Sequence, residues 1–448
     1  MAVLSPESTA ERESPAHSRF PPALVLAVPY LAAIAALRGL TAALPIFHGT
    51  DERVYHLPLI HRFSQQLPFP DLVHYHAAQT PLFHLLMAYL GKVIGYEVWR
   101  LRLLEALISY LAALALYALL VRRRGLRQQT ALVLSLLFAL SPYVYGTSFR
   151  VMTDNLALLL VIVALERFEA YRKSARLAPF VVGAISVTAA VLTRQSMAFM
   201  YGVAVLYALI APLRTRSAAA NVARAAPVLA IAAAPVAALF AVWHGLVPRG
   251  GDPASCGLCS PVSGTAVSAQ GHLVVQSTEL ALATAGLYGA ILFAPQALLA
   301  TRRWRGRSLS GPTSIRLIAA AVVGLILLLL FAARPGLYDA GYLWRIAARL
   351  PQLDGSSILF WALVPLGCVV LYLRLRLRPL NFLALAFFAC FLASTLVYRL
   401  ALQKYVDPFV VLGLLLTVRR SDYEHRESYL GAGILMVGFI AYTLSFVI

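Results

Sequence analysis

The chain has 448 residues, 60% of them hydrophobic and 13% charged, with a formal net charge of +19 and a mean hydropathy of +0.76. Soluble chains of this size are about 45–50% apolar and about 25% charged, so a soluble enzyme, a disordered protein and a collagen-like fibre are excluded. Lys and Arg number 38 against 19 Asp and Glu, an excess that marks nucleic-acid binding in a soluble protein but cytoplasmic loops in a membrane protein.

Residues 1–22 are polar and rich in Ser, Pro and Glu. They lack the basic, apolar and small-residue regions of a signal peptide and read as a disordered cytoplasmic tail. Beyond them the chain is a series of apolar runs, and a helix needs about 20 apolar residues to cross roughly 30 Å of hydrocarbon. Spans are expected at 23–46, 99–121, 129–147, 152–170, 178–193, 196–213, 226–247, 273–300, 314–333, 356–373, 379–398, 406–418 and 428–448. The predicted fold class is an all-α polytopic membrane protein with roughly 12–13 transmembrane helices. Residues 23–213 form an N-terminal transmembrane module and 214–448 a C-terminal one.

Basic residues cluster in every second connection. The clusters are Arg122, Arg123, Arg124 and Arg127; Arg167, Arg172, Lys173 and Arg176; Arg214, Arg216 and Arg224. They continue with Arg302, Arg303, Arg305 and Arg307; Arg374, Arg376 and Arg378; and Arg419, Arg420 and Arg426. The positive-inside rule makes these loops cytoplasmic, together with the N-terminus. The long loops 47–98, 248–272 and 334–355 then lie on the outer face. The apolar stretch 80–95 is short for a span and reads as an interfacial helix within the first outer loop. The Arg-, Ala- and Leu-rich composition points to a bacterial plasma membrane.

The first outer loop opens with His48, Asp51, Glu52, Arg53, Tyr55, His56 and Pro58. Adjacent carboxylates at a membrane edge are costly unless solvated or paired. They read either as a solvated helix start or as a general base oriented by His56 one turn later. Further along, Asp71 follows Pro68 and Pro70 as a turn residue, and His74 and His76 read as solvated loop histidines rather than metal ligands. Thr193, Arg194, Gln195 and Ser196 form a polar cluster between two apolar runs, suited to an anion. Arg150 and Asp154 are placed to pair at helical spacing. Tyr398 with Arg399, and Gln403, Lys404, Tyr405 and Asp407, bound a short outer connection. Cys256 and Cys259 read as a local disulfide or two free thiols, and Cys368 and Cys390 as inert residues in apolar runs. Glu105, Glu166 and Glu279 fall within or near spans with no evident partner. A secondary transporter or lipid flippase is the competing class, but no internal repeat favours it.

Three motifs carry a resemblance. Asp51-Glu52-Arg53-Val54-Tyr55-His56, then Gln79-Thr80-Pro81, then Thr193-Arg194-Gln195-Ser196 resemble the α-1,2-glucosyltransferases that complete lipid-linked oligosaccharide from dolichyl- or polyprenyl-phosphate glucose. More widely the chain is similar to the GT-C glycosyltransferases, which place a catalytic acid in the first outer loop. The resemblance implies a GT-C-like fold and transfer of a hexose, expected to be glucose, from a polyprenyl-phosphate donor to a glycan or lipid-linked acceptor with inversion. It implies Asp51 and Glu52 as catalytic residues. It implies His56, Gln79, Thr80, Arg194, Gln195, Lys404 and Tyr405 as donor- and substrate-binding residues. No metal or other cofactor and no nucleic acid is expected.

Overall fold

The computed structural model describes residues 21–36, 51–210, 217–249, 275–303, 311–331, 341–376, 381–396 and 401–444. The readings of most of the N-terminal tail, of Cys256 and Cys259, and of Tyr398 with Arg399 lie outside the described residues.

The described residues fold almost wholly as helices. They are α1 (Pro22–Ala36), α2 (Leu57–Gln66), α3 (Leu82–Ile94), α4 (Val98–Arg122), α5 (Gln128–Ala139) and α6 (Pro142–Tyr145). Next come α7 (Asp154–Ser174), α8 (Leu177–Thr193), α9 (Phe199–Ile210), α10 (Ala218–Trp243), α11 (Gln276–Arg303) and α12 (Gly311–Leu330). The series ends with α13 (Tyr342–Ala348), α14 (Ile358–Arg376), α15 (Phe382–Thr395), α16 (Gln403–Thr417) and α17 (Leu430–Leu444). A two-stranded antiparallel hairpin, β1 (Gln352–Leu353) and β2 (Ser356–Ser357), sits between α13 and α14.

Each expected span corresponds to a helix, with two differences of detail. The run 129–147 is broken: Ser141 is extended (φ −59°, ψ 141°) and Pro142 starts a separate turn, since its ring cannot continue the α5 ladder. The run expected from 226 starts earlier, at Ala218, where the Ser217 hydroxyl accepts from the Ala220 amide at 3.2 Å. Five of the described helices are long and apolar enough to cross a membrane. The shorter α16 is housed inside the bundle. Val406–Thr417 of α16 are buried throughout, so the protein rather than lipid surrounds their backbone. Where α11 crosses α14, Gly286 and Gly367 let the backbones touch: a Cβ on either would collide with a carbonyl of the other helix.

Successive long helices alternate in direction, which gives the bundle two chemically distinct ends. One end gathers basic residues. There Arg123 pairs with Glu166 at 2.5 Å, Arg167 pairs with the same carboxylate, Lys173 donates to the Arg123 carbonyl at 2.6 Å, and Arg374 pairs with Asp422. Glu166, expected to lack a partner, therefore has two, because α4 and α7 bring their ends together.

The opposite end carries residues 51–98. Leu59, Ile60 and Phe63 of α2 and Phe83 and Met87 of α3 pack on Ile108, Leu156 and Trp243 as a separate hydrophobic cluster. The Trp243 indole donates to the Leu72 carbonyl at 2.8 Å and fastens the loop to α10. Helix α3 has 13 residues, about 20 Å at 1.5 Å per residue, too short to cross. It lies against α2, with Tyr89 and Val93 exposed on its far side.

Candidate active site

The segment 51–56 is held by groups from other parts of the chain. It forms one π-helical turn, Glu52–His56, continuous with α2, and Asp51 is already helical (φ −59°, ψ −46°). Such turns are rare and frequent at functional sites. The two adjacent carboxylates point to different environments. Glu52 is buried, at 1% exposure. Its oxygens accept from Arg102 Nε at 2.9 Å, Arg102 Nη2 at 2.7 Å and the Val151 amide at 3.0 Å. This two-pronged bond ties the turn to α4 and to the segment before α7, as a paired and hydrogen-bonded buried charge requires. Asp51 faces the other way and is 37% exposed. Its Oδ2 accepts from the Lys404 ammonium at 2.8 Å, across 353 residues of sequence.

Lys404 stands in the first turn of α16, and the next residue carries the cluster further. The Tyr405 ring lies 4.4 Å from the Arg194 guanidinium carbon and 5.3 Å from the Lys404 nitrogen, within cation–π range of both. Arg194 is extended (φ −157°, ψ 115°) where α8 ends, which turns its side chain out of the helix. It is ion-paired to Asp154, the first residue of α7. The expected pairing of Asp154 with Arg150 is therefore corrected. The start of α7 aims Asp154 at the end of α8, while Arg150, one turn earlier, lies within the field of Glu52, Arg102 and Asp51. Asp51, Lys404, Tyr405, Arg194 and Asp154 thus form one connected group at this end of the bundle. Its members carry two carboxylates and two cations, with Lys404 and Arg194 only 13% and 12% exposed.

The remaining expected residues build the walls. Thr80 is buried, and its hydroxyl donates to the Val191 carbonyl at 2.7 Å. The Gln195 amide donates to the Ala78 carbonyl at 2.5 Å. These two bonds cross-link the 78–80 segment to the α8–α9 junction, so Arg194 sits between two anchored neighbours. Gln79 is half-buried, and its carbonyl accepts from the Tyr75 hydroxyl at 2.8 Å. Thr193 hydrogen-bonds back to the Ala189 carbonyl in its own helix. Asp71 closes a turn, its Oδ1 accepting the amides of Val73 at 2.8 Å and His74 at 3.0 Å. Those amides hold its carboxyl below the usual range. His74 pairs with Asp71, whereas the His76 ring lies 6.0 Å from the Tyr55 ring, so the two histidines do not converge. Among the described residues, no three His, Cys, Asp or Glu side chains gather as a metal site.

His56 is buried behind Asp51, and its Nδ1 shares a hydrogen with His84 Nε2 at 2.9 Å. The rings stack with centroids 5.1 Å apart. Burial pushes the His56 imidazole down to about 4, opposed by the nearby Asp51 and Asp154 carboxylates. Burial and then His56 itself push His84 well down too. The pair is neutral at physiological pH, with one ring donating and the other accepting. An unfolded imidazole titrates near 6.5, so between about 4 and 6.5 the unfolded chain binds the extra proton. Stability contributed here is full above that window and is lost as pH falls through it. The unfolding midpoint in detergent should drop on acidification from about pH 6.5 towards 4, and His56→Gln should flatten that drop. An unchanged slope in the variant contradicts the assignment.

Arg102, Asp154 and His84 were not among the expected site residues. Arg102, close to Arg100 and Glu105 inside the span 99–121, was a usable signal, because charge within a span demands a partner. Nothing in the spacing pointed Asp154 at Arg194 rather than at Arg150.

Residues 78–243 match the family described as dolichyl-phosphate-mannose-protein mannosyltransferase. That segment contains Thr80, Asp154, Arg194 and Gln195, and leaves Asp51 and Lys404 outside. No curated protein and no solved structure matches. With the helical architecture above, the match supports an integral membrane protein of the GT-C fold and a membrane glycosyltransferase that uses a polyprenyl-phosphate sugar.

Proposed function

We propose that the chain transfers a hexose from a polyprenyl-phosphate donor to a hydroxyl-bearing acceptor at the cluster around Asp51. The observation that carries this reading is the meeting of Asp51 with Lys404, and through the Tyr405 ring with Arg194. A carboxylate beside two cations, one of them paired to the second carboxylate Asp154, suits a substrate whose hydroxyl must lose a proton while its partner's phosphate gains charge.

In the proposed reaction Asp51 takes the proton of the acceptor hydroxyl. The acceptor oxygen bonds to the anomeric carbon from the face opposite the phosphate, and the configuration inverts. The carbon–oxygen bond to phosphate breaks, its electron pair stays on the phosphate, and polyprenyl phosphate leaves. Arg194 and Lys404 stabilise the charge that grows on the phosphate. A phosphate leaving group needs no general acid, so a single carboxylate suffices, unlike the pair used in glycoside hydrolysis. We assign Glu52 to holding Asp51 in place through Arg102, His56 to packing behind it, and Thr80, Gln79 and Gln195 to shaping the wall around Arg194. The lipid tail would lie between helices, and the site would open on the outer face of a bacterial plasma membrane. The two cations supply the positive charge, so the reaction as proposed uses no metal.

For the hexose, the Asp51–His56, Thr80-Pro81 and Arg194-Gln195 motifs favour glucose and a glycan or lipid-linked acceptor. The family name favours mannose and a protein acceptor. Purified protein in nanodiscs, given polyprenyl-phosphate glucose, mannose or arabinose with each acceptor class, separates these. Fastest turnover of the glucosyl donor, with inversion shown by NMR, is the expected outcome. Preference for the mannosyl donor moves the assignment to mannose. Movement of unchanged lipid across the bilayer with no covalent product replaces the enzyme with a transporter.

A further inference from the structure

Lys404 and Tyr405 belong to the first turn of α16, and that turn lacks part of its own support. Pro408 lies inside the helix, so the Lys404 carbonyl receives no amide from four residues on. A turn loosened in this way can twist, and displacement by one residue swings a side chain by about 100° around the helix axis. Lys404 would then leave Asp51.

Two buried polar residues on the same turn prevent this. Gln403 is fully buried, and its Oε1 accepts from the Leu343 amide of α13 at 3.0 Å. Asp407, also fully buried, accepts from the Tyr288 hydroxyl of α11, which is bonded in turn to the Tyr342 hydroxyl of α13. The Trp344 indole adds a bond to the Ala401 carbonyl just before α16, at 2.8 Å. Gly341 completes the joint, because a Cβ there would strike the Gln403 side chain. A strap, residues 341–357, is thus fastened to the turn. The strap is itself closed by its hairpin, by the Ile358 amide bonding the Pro351 carbonyl at 3.0 Å, and by Trp344 stacked on Phe360 at 4.7 Å.

Apolar packing would hold two helices together at least as well as buried polar groups do. What a hydrogen-bonded network adds is a unique register. We propose that Gln403 and Asp407 are positioning residues for the transfer reaction. They lock the strap to the first turn of α16 and so hold Lys404 against Asp51 and Tyr405 against Arg194. This inference rests on the role proposed for Lys404 and extends it to residues that touch no substrate.

The test is a set of double-mutant cycles. Gln403→Ala and Tyr342→Phe are each made alone and together with Lys404→Ala, and kcat/KM is measured for the polyprenyl-phosphate hexose. Tyr342→Phe removes one oxygen and keeps the ring, so it guards against simple misfolding. Each single variant should lose about tenfold in the presence of Lys404 and clearly less in its absence, where only the placing of Tyr405 against Arg194 remains to be lost, the non-additivity expected when one residue acts through another. Affinity for polyprenyl monophosphate provides the same comparison where Lys404→Ala turns over too slowly to measure. Fully additive losses, or no loss from either single variant, overturn the positioning role while leaving that of Lys404 intact. A Lys404→Ala enzyme with normal transfer and normal lipid-phosphate affinity overturns both, starting with the function assigned to Lys404.

Discussion

Asp51→Asn is expected to lower the rate of hexose transfer by about a thousandfold, within the range that a positioned general base contributes. The substitution keeps the shape of the side chain and removes its charge, and with it the ion pair to Lys404 and the capacity to take a proton. The unfolding midpoint should fall less than in Glu52→Ala, because the Asp51 side of the pair is 37% exposed and open to water while Lys404 is 13% exposed. Asp51→Glu should recover part of the activity. Glu52→Ala should give the opposite signature. It strands Arg102 in a buried site, so destabilisation of about 3–5 kcal/mol should dominate and the unfolding midpoint should fall. Transfer assays paired with thermal unfolding of each variant check the contrast. If Asp51→Asn keeps near-normal turnover, the base lies elsewhere.

The second large effect is expected at Arg194. Replacing it by Ala should reduce kcat/KM by roughly 10²–10³, the usual cost of losing a donor aimed at developing charge. Arg194→Lys should not restore the rate. An ammonium is a compact point charge, and it cannot both stack flat on Tyr405 and pair with Asp154 as the planar guanidinium does. Inhibition by polyprenyl monophosphate should weaken in parallel, since the same group would hold product phosphate. Full rescue by Lys reduces Arg194 to a generic positive charge. Unchanged inhibition in Arg194→Ala removes it from the phosphate site.

Much of the architecture is legible in the sequence for a simple reason. A bilayer imposes one length and one polarity on every span, so apolar runs bounded by basic clusters locate helices such as Val98–Arg122 to within a residue or two. The differences are a broken run and an early start at Ala218. The break at Ser141-Pro142 interrupts a run whose hydropathy is continuous. The stretch 80–95 could be kept out of the membrane because about 16 residues are short for a span, and the helix that forms there has 13.

The candidate site was legible as separate motifs and not as an assembly. Lys404 and Asp51 are 353 residues apart, and no local spacing announces that they touch. Likewise, adjacent carboxylates at 51 and 52 look equivalent in sequence. Only the burial of Glu52 against Arg102 and the exposure of Asp51 beside Lys404 separate their surroundings. Thr80 was expected near a ligand from the motif resemblance and Gln195 from the polar cluster around Arg194, and each is bonded to a backbone carbonyl of the other's segment. Those two bonds fix the frame in which Arg194 sits.

These placements give the cluster a division of labour. Buried pairs, Glu52 with Arg102 and Asp407 with Tyr288, set positions from behind. Less buried groups, Asp51 above all, face the space where substrates would meet. The central claim is that a covalent transfer occurs there with Asp51 as base. The most direct measurement follows purified protein in nanodiscs with a doubly labelled polyprenyl-phosphate hexose, one label on the sugar and one on the phosphate. The account predicts that sugar label passes to the acceptor as phosphate label is released on polyprenyl phosphate, one for one, and that both stop in Asp51→Asn. Separation of the two labels at an undiminished rate in Asp51→Asn, or no separation at all in the native protein with any hexosyl donor, contradicts it.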